Sequence, residues 1–149
     1  MPGKSNQSFW ELRKVVLPQH TDHAGVMWHG AYFAWLEEAR IQALRDAGMS
    51  YRKLSEDGFE MPVVSLEMKY KVPLFHGDFV CLQSSLLGNE PPRWRWKTIF
   101  YKHGDIAAAI ALVELALVRV TNGKHKIVRE PPSSLSKVLN NVENGRKMV

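Results

Sequence analysis

Residues 30–47 constrain this chain most, because they hold its one long helical pattern. Tyr32, Trp35, Leu36, Ala39, Ala43 and Leu44 recur at spacings of three and four, and Gly48 stops the run. Ser50 is placed to cap a short second helix over 51–57. Almost everything else reads as β-structure. A first strand covers 9–17 and ends at Pro18; further strands cover 61–72, 79–87, 94–102, 106–121 and 124–128. His103-Gly104-Asp105 and Asn122-Gly123 are hairpin turns. One apolar helix followed by consecutive antiparallel strands predicts an α+β domain in which the sheet wraps the helix.

At 149 residues the chain suits one domain with a sizeable core. That core is expected over about 9–132, with the N-terminal segment and the C-terminal tail peripheral; the tail after Ser133 is read as a small helix or disorder. Residues 1–8 lack the apolar centre of a signal peptide, and no apolar run is long enough to span a membrane. The lone Cys81 excludes an internal disulfide and fits a reducing compartment, so a cytoplasmic location is expected and the Asn6-Gln7-Ser8 sequon is read as accidental. Cys81 itself reads as a buried, inert strand residue with no histidine partner.

The formal charge is +5, and its excess is local. Arg93, Arg95, Lys97, Lys102, Arg119, Lys124, Lys126 and Arg129 face only Asp105 and Glu114 over the same stretch. Such a surface attracts polyanions, whether nucleic acid or a nucleotide-bearing thiol carrier such as coenzyme A, although a plain solvated face accounts for the charge equally well. Strand alternation places Arg93, Arg95 and Lys97 on one face and Trp94 and Trp96 on the other. Basic residues alternating with tryptophan also suit single-stranded nucleic acid, but no RNA-binding motif accompanies them, so nucleic acid is a minor reading.

The chemistry concentrates in 20–32, His-Thr-Asp-His-Ala-Gly-Val-Met-Trp-His-Gly-Ala-Tyr. An acidic residue, Asp22, sits in a glycine-punctuated loop just before the helix. A carboxylate near a helix N-terminus can attack or activate water while the free N–H groups hold developing negative charge. Taken alone, Asp22 reads first as a helix cap, with a loop-stabilising role as the alternative. His20, His23 and His29 match no zinc spacing and have no cysteine nearby, so no metal is expected.

Three stretches together resemble the hotdog-fold thioesterases of the 4-hydroxybenzoyl-CoA thioesterase family. The first is Thr21-Asp22-His23-Ala24-Gly25-Val26-Met27-Trp28-His29-Gly30-Ala31-Tyr32 running into Trp35-Leu36-Glu37-Glu38-Ala39-Arg40; the second is Tyr70-Lys71-Val72-Pro73-Leu74-Phe75-His76-Gly77-Asp78; the third is the final hairpin, with an alanine-rich strand after His103-Gly104-Asp105. They follow in family order over roughly 12–132. The resemblance implies a hotdog fold, an antiparallel sheet wrapped around one long central helix. It implies a homodimer whose sheets join edge to edge, or a homotetramer, with active sites at the subunit interface.

The resemblance further implies that Asp22 is the catalytic carboxylate, as nucleophile or general base, and that the backbone N–H of His29 polarises the thioester carbonyl; a lesser reading has the His29 imidazole orient Asp22 or protonate the departing thiolate. Gly25 would allow close substrate approach, and Arg93 and Arg95 would meet the phosphates of CoA. Trp28 reads first as a core residue and second as a wall of the acyl pocket. CoA enters as part of the substrate, with no separate cofactor. Ser65 and Glu67 read as a polar strand face. The expected function is an acyl-CoA thioesterase, with an aryl thioester such as 1,4-dihydroxy-2-naphthoyl-CoA or 4-hydroxybenzoyl-CoA suggested by Trp28, Tyr32, Phe33 and Trp35. The alternatives are an acyl-carrier-protein thioesterase and a non-catalytic module that binds acyl-CoA or nucleic acid. Dehydratases of the same fold fit less well, since no suitable histidine and acid pair is present.

Overall fold

A computed structural model describes residues 9–145; the sequon at 6–8 and the last four residues lie outside it. The elements are β1 (Trp10–Val15), α1 (His29–Asp46), α2 (Tyr51–Glu56), β2 (Phe59–Glu60), β3 (Val63–Tyr70), β4 (Phe79–Glu90), β5 (Arg93–Lys102), β6 (Ile106–Ala116), β7 (Val118–Thr121), β8 (Lys124–Ile127) and α3 (Ser133–Asn144). A five-stranded antiparallel sheet runs β1-β4-β5-β6-β3, and a small sheet runs β2-β7-β8.

Helix α1 buries the stripe its spacing predicts: Tyr32, Trp35, Leu36, Ala39, Ala43 and Leu44, joined by Ala31. These pack against inward residues of the sheet, among them Leu82, Trp94, Phe100, Ala109 and Leu115. The sheet thus curls around one helix, as expected. Ser50 caps α2 through its hydroxyl, which accepts the Lys53 N–H at 3.0 Å. His103 and Asn122 both adopt positive φ ahead of glycine, which confirms the two hairpin turns.

Several boundaries differ from the sequence reading, among them the end of the 79–87 strand, which runs on to Glu90. The predicted strand over 106–121 breaks at the buried Leu117, whose N–H turns to the carbonyl of Pro92 at 3.0 Å, so β6 stays in the large sheet while β7 joins the small one. The predicted strand over 61–72 is shorter, and Phe59–Glu60 forms a separate strand, β2, against β7. The tail is not peripheral. It forms α3, with Leu135, Val138, Leu139 and Val142 buried at i, i+3, i+4 and i+7. The indole of Trp10 donates to the Val142 carbonyl at 2.9 Å, and the Asn141 amide donates to the Ala47 carbonyl at 3.1 Å, so both ends of the chain close one core.

Candidate active site

The loop that carries Asp22 is a tight hairpin-like turn held from both sides. Past β1, the N–H of Val16 donates to the Asp78 carbonyl and the N–H of Gly77 donates back to the Val16 carbonyl. Thr21 pairs with Met27, and Val26 pairs with Phe75. The Met27 N–H reaches the Leu74 carbonyl at 2.7 Å, and the Trp28 N–H reaches the His20 carbonyl at 3.1 Å. Gly25 sits at the tip with φ +83 and open space where a Cβ would lie, so backbone conformation rather than crowding calls for glycine.

Asp22 is exposed and half tethered. Its Oδ1 accepts the Ala24 N–H at 2.8 Å and the Val26 N–H at 3.4 Å. Its Oδ2 takes no hydrogen bond from the described residues. The carboxylate does not cap α1: the N-cap is Trp28, and no side chain bonds to that helix end. The capping alternative is therefore excluded, while the loop-stabilising role accounts for one oxygen only.

The start of α1 is correspondingly open. Ala31 N–H bonds back to the Trp28 carbonyl at 3.0 Å, but the N–H groups of His29 and Gly30 find no acceptor among the described residues. Unpaired N–H groups at the positive end of an 18-residue helix are suited to receive a carbonyl oxygen as it gains negative charge. The His29 imidazole makes no hydrogen bond to Asp22; its ring edges Trp28 at 5.3 Å and Phe33 at 6.0 Å.

The predicted aromatic cluster divides. Tyr32 and Trp35 belong to the core, where burial and then the neighbouring Tyr70 push the Tyr32 phenol up to about 12. Trp28 and Phe33 stay exposed beside the helix start. Arg93 and Arg95 lie elsewhere. They occupy the outward face at the start of β5, while the end of that strand, Lys102, touches the Pro73 carbonyl next to the Asp22 loop. From Arg95 to Lys102 is seven residues of strand, roughly 23 Å at about 3.3 Å each. One chain therefore does not bring these arginines to Asp22. Arg93 instead meets Glu114 at 3.5 Å. Trp94 and Trp96 are buried, so the strand offers no stacking platform for nucleic-acid bases. Ser65 and Glu67 lie exposed on the edge strand β3.

Two side-chain groups beside the loop escaped the sequence reading. Asp78 accepts the Phe75 N–H at 2.8 Å, pairs with Lys102 at 3.2 Å and faces His103 at 3.3 Å. Burial alone would raise its carboxyl, but the Phe75 N–H, Lys102 and His103 outweigh burial and hold it below the ordinary value. This cluster pins the 73–78 bend, which in turn holds Met27 and Val26. The second group joins Lys14, paired to Glu38 at 3.0 Å, with Trp35 and His20. Burial, then Lys14, lowers the His20 pKa, and its Nδ1 accepts the Leu17 N–H. Only long-range pairing reveals either group: the register sets Val80 of β4 against Lys102, beside Asp78.

Among the described residues no group of three or more His, Cys, Asp or Glu side chains is placed to hold a metal. No helix among them is long and apolar enough to cross a membrane. A cavity of about 480 Å³ lies over β1 and β4 and is lined by Arg13, Phe79 and Cys81 rather than by Asp22. In a single chain the Asp22 loop is exposed at the surface. Burial raises the Cys81 thiol, which leaves it poorly suited as a nucleophile.

Comparisons with known proteins agree with this geometry. Residues 16–139 match the sequence model of the Thioesterase-like superfamily. A Synechocystis protein named "Putative esterase" is 30% identical over 128 residues, covering 85% of this chain and 75% of its own. A solved hypothetical protein from Aquifex aeolicus superposes with a TM-score of 0.78 at 32% identity, covering 89% of this chain and 98% of that one. The DHNA-CoA thioesterase of Staphylococcus aureus superposes at 0.81 with 21% identity over 91% of each chain, which speaks to the fold. With its sheet curled around one long helix and the matched region running from the Asp22 loop into α3, the chain is a hotdog-fold member of the Thioesterase-like superfamily.

Proposed function

We propose that the protein hydrolyses acyl-CoA thioesters, with Asp22 and the N-terminus of α1 as the reacting groups. One observation carries this reading: Asp22 keeps one carboxylate oxygen free while the other is tied to the loop, beside a helix start whose N–H groups at His29 and Gly30 are unpaired. The thioester carbonyl oxygen accepts the His29 N–H, which makes its carbon more electrophilic. Asp22 then either attacks that carbon to form a mixed anhydride, which water opens, or removes a proton from an attacking water. On both routes the C–S bond breaks, the thiolate leaves and takes up a proton, and one water is consumed per acid and thiol formed.

The preferred acyl group is aromatic, supported by the exposed Trp28 and Phe33 beside the helix start. CoA comes with the substrate and no further cofactor is invoked. Two chains complete the site. Edge strand β3 leaves Val63, Val64, Leu66 and Tyr70 exposed beside an unpaired backbone edge, a surface that soluble proteins normally cover. Pairing β3 with its copy would extend the sheet across a dimer. Arg93 and Arg95 serve a CoA phosphate only where another chain brings them to the site.

Thiol release from purified protein, measured across benzoyl-, naphthoyl-, short-chain and long-chain acyl-CoA esters, tests the reading. Hydrolysis with an aryl preference is expected. Turnover confined to carrier-protein thioesters would reassign the substrate, and binding with no turnover of any thioester would reduce the protein to an acyl-binding module.

A further inference from the structure

Of the five tryptophans, four are buried: Trp10, Trp35, Trp94 and Trp96 are at most 8% exposed, whereas Trp28 is 45% exposed. Trp28 is the N-cap of α1 with extended backbone, φ −87 and ψ 155, so its side chain leaves the chain just ahead of the helix. Gly30 records where the indole goes. A Cβ at Gly30 would meet Cη2, Cζ3 and Cζ2 of Trp28 at 2.2, 2.4 and 2.6 Å. The six-membered ring lies directly on the glycine.

Backbone conformation does not explain this glycine. Gly30 is not among the positive-φ glycines and lies inside α1, where alanine would favour the helix by about 1 kcal/mol. Space explains it: only a missing side chain lets the indole lie flat across the first turn. The rings of His29 and Phe33 continue the row at 5.3 and 6.0 Å, and Phe33 is also exposed.

We infer that Gly30 and Trp28 act as one specificity determinant: the empty position at 30 seats the indole as a flat shelf for a planar aryl acyl group, immediately beside the N–H groups that receive the thioester carbonyl. The inference rests on the thioesterase reading above. A carbonyl held at His29 puts the attached acyl group next to Trp28. A planar ring stacks on the exposed part of the indole, whereas an aliphatic chain gains no stacking and loses rotamer freedom.

Because Trp28 is the solvent-accessible tryptophan, acrylamide quenching of fluorescence reports on it, with Trp28→Phe as the calibration. Benzoyl-CoA added to the Asp22→Asn variant should shield Trp28 from acrylamide, and Gly30→Ala should weaken that shielding. In parallel, the ratio of kcat/KM for benzoyl-CoA over hexanoyl-CoA is compared in wild type, Trp28→Ala, Gly30→Ala and the double variant. Each single change should lower the ratio roughly 3- to 10-fold, the range expected for one aromatic stack. The double variant should fall no further than Trp28→Ala alone, because Gly30 acts through the indole. Urea unfolding checks that the variants remain folded. An unchanged ratio in Gly30→Ala, a double variant that multiplies the two losses, or no shielding by benzoyl-CoA would overturn the inference. Wild-type protein that turns over no thioester of the wider panel would overturn the thioesterase reading instead, and the shielding experiment would still decide the shelf.

Discussion

The two ends of β5 carry the same kind of residue and put it to opposite uses. At one end Lys102 is largely buried, pairs with Asp78 at 3.2 Å and reaches the Pro73 carbonyl at 3.4 Å. Through Leu74 and Phe75 that end holds the Asp22 loop in place. At the other end Arg93 and Arg95 alternate with buried tryptophans and stand in solvent; Arg95 lies in register with Glu114 and Arg93 with Glu90, and Arg93 also reaches Glu114 at 3.5 Å. A basic residue becomes structural when its partners are backbone and a second half-buried charge; with solvent on one side it remains a surface charge.

The comparison can be broken most sharply by activity. Asp22→Asn should lower kcat about 10²- to 10⁴-fold, the usual worth of a general base or nucleophile, with unfolding nearly unchanged because the amide oxygen can still accept the Ala24 N–H. Arg95→Ala should leave kcat near wild type in the same thiol-release assay. Next in size is stability. Lys102→Met should cost about 2–3 kcal/mol in urea unfolding, since it strands Asp78 and frees the bend, whereas Arg93→Met should cost under about 0.5 kcal/mol. Equal costs at both ends would erase the distinction.

Gly25→Ala should cost about 1–2 kcal/mol through backbone strain alone, since a Cβ there meets nothing within 4 Å. A pH effect is the finest test. The folded Asp78 carboxyl titrates below its ordinary value of 3.8, so folding favours its ionised form. The stability it contributes is fully present above that ordinary value and is lost as pH falls through the lower folded one. Urea midpoints followed from about pH 5 to about pH 2.5 should therefore fall more steeply in wild type than in Asp78→Asn.

What the sequence disclosed, and what it hid, follows the range of the interactions. The α1 stripe, the Ser50 cap and the two glycine turns are local, and each was legible within a few residues. A small helix after Ser133 was one of two readings; that Leu135, Val138, Leu139 and Val142 bury it in the core was missed, because polar neighbours and the double proline at 131–132 marked the segment as peripheral. The break at Leu117 was hidden because an uninterrupted apolar run looks the same whether it serves one sheet or two. At the site, motif order singled out Asp22 and His29 as candidates. The Lys102–Asp78 contact and the placement of Arg95 far from Asp22 depend on strand register, which no local pattern encodes. Gly30 was passed over because a glycine needed for space looks like any other until the ring that fills the space is located.

The most direct test of the central claim is a backbone amide NMR titration of the Asp22→Asn variant with benzoyl-CoA. The account predicts that the amides of His29 and Gly30 shift most, together with those of Ala24 to Trp28. Dominant shifts at Arg93 to Lys97, with His29 and Gly30 unmoved, would contradict it and place the ligand at the other end of the sheet.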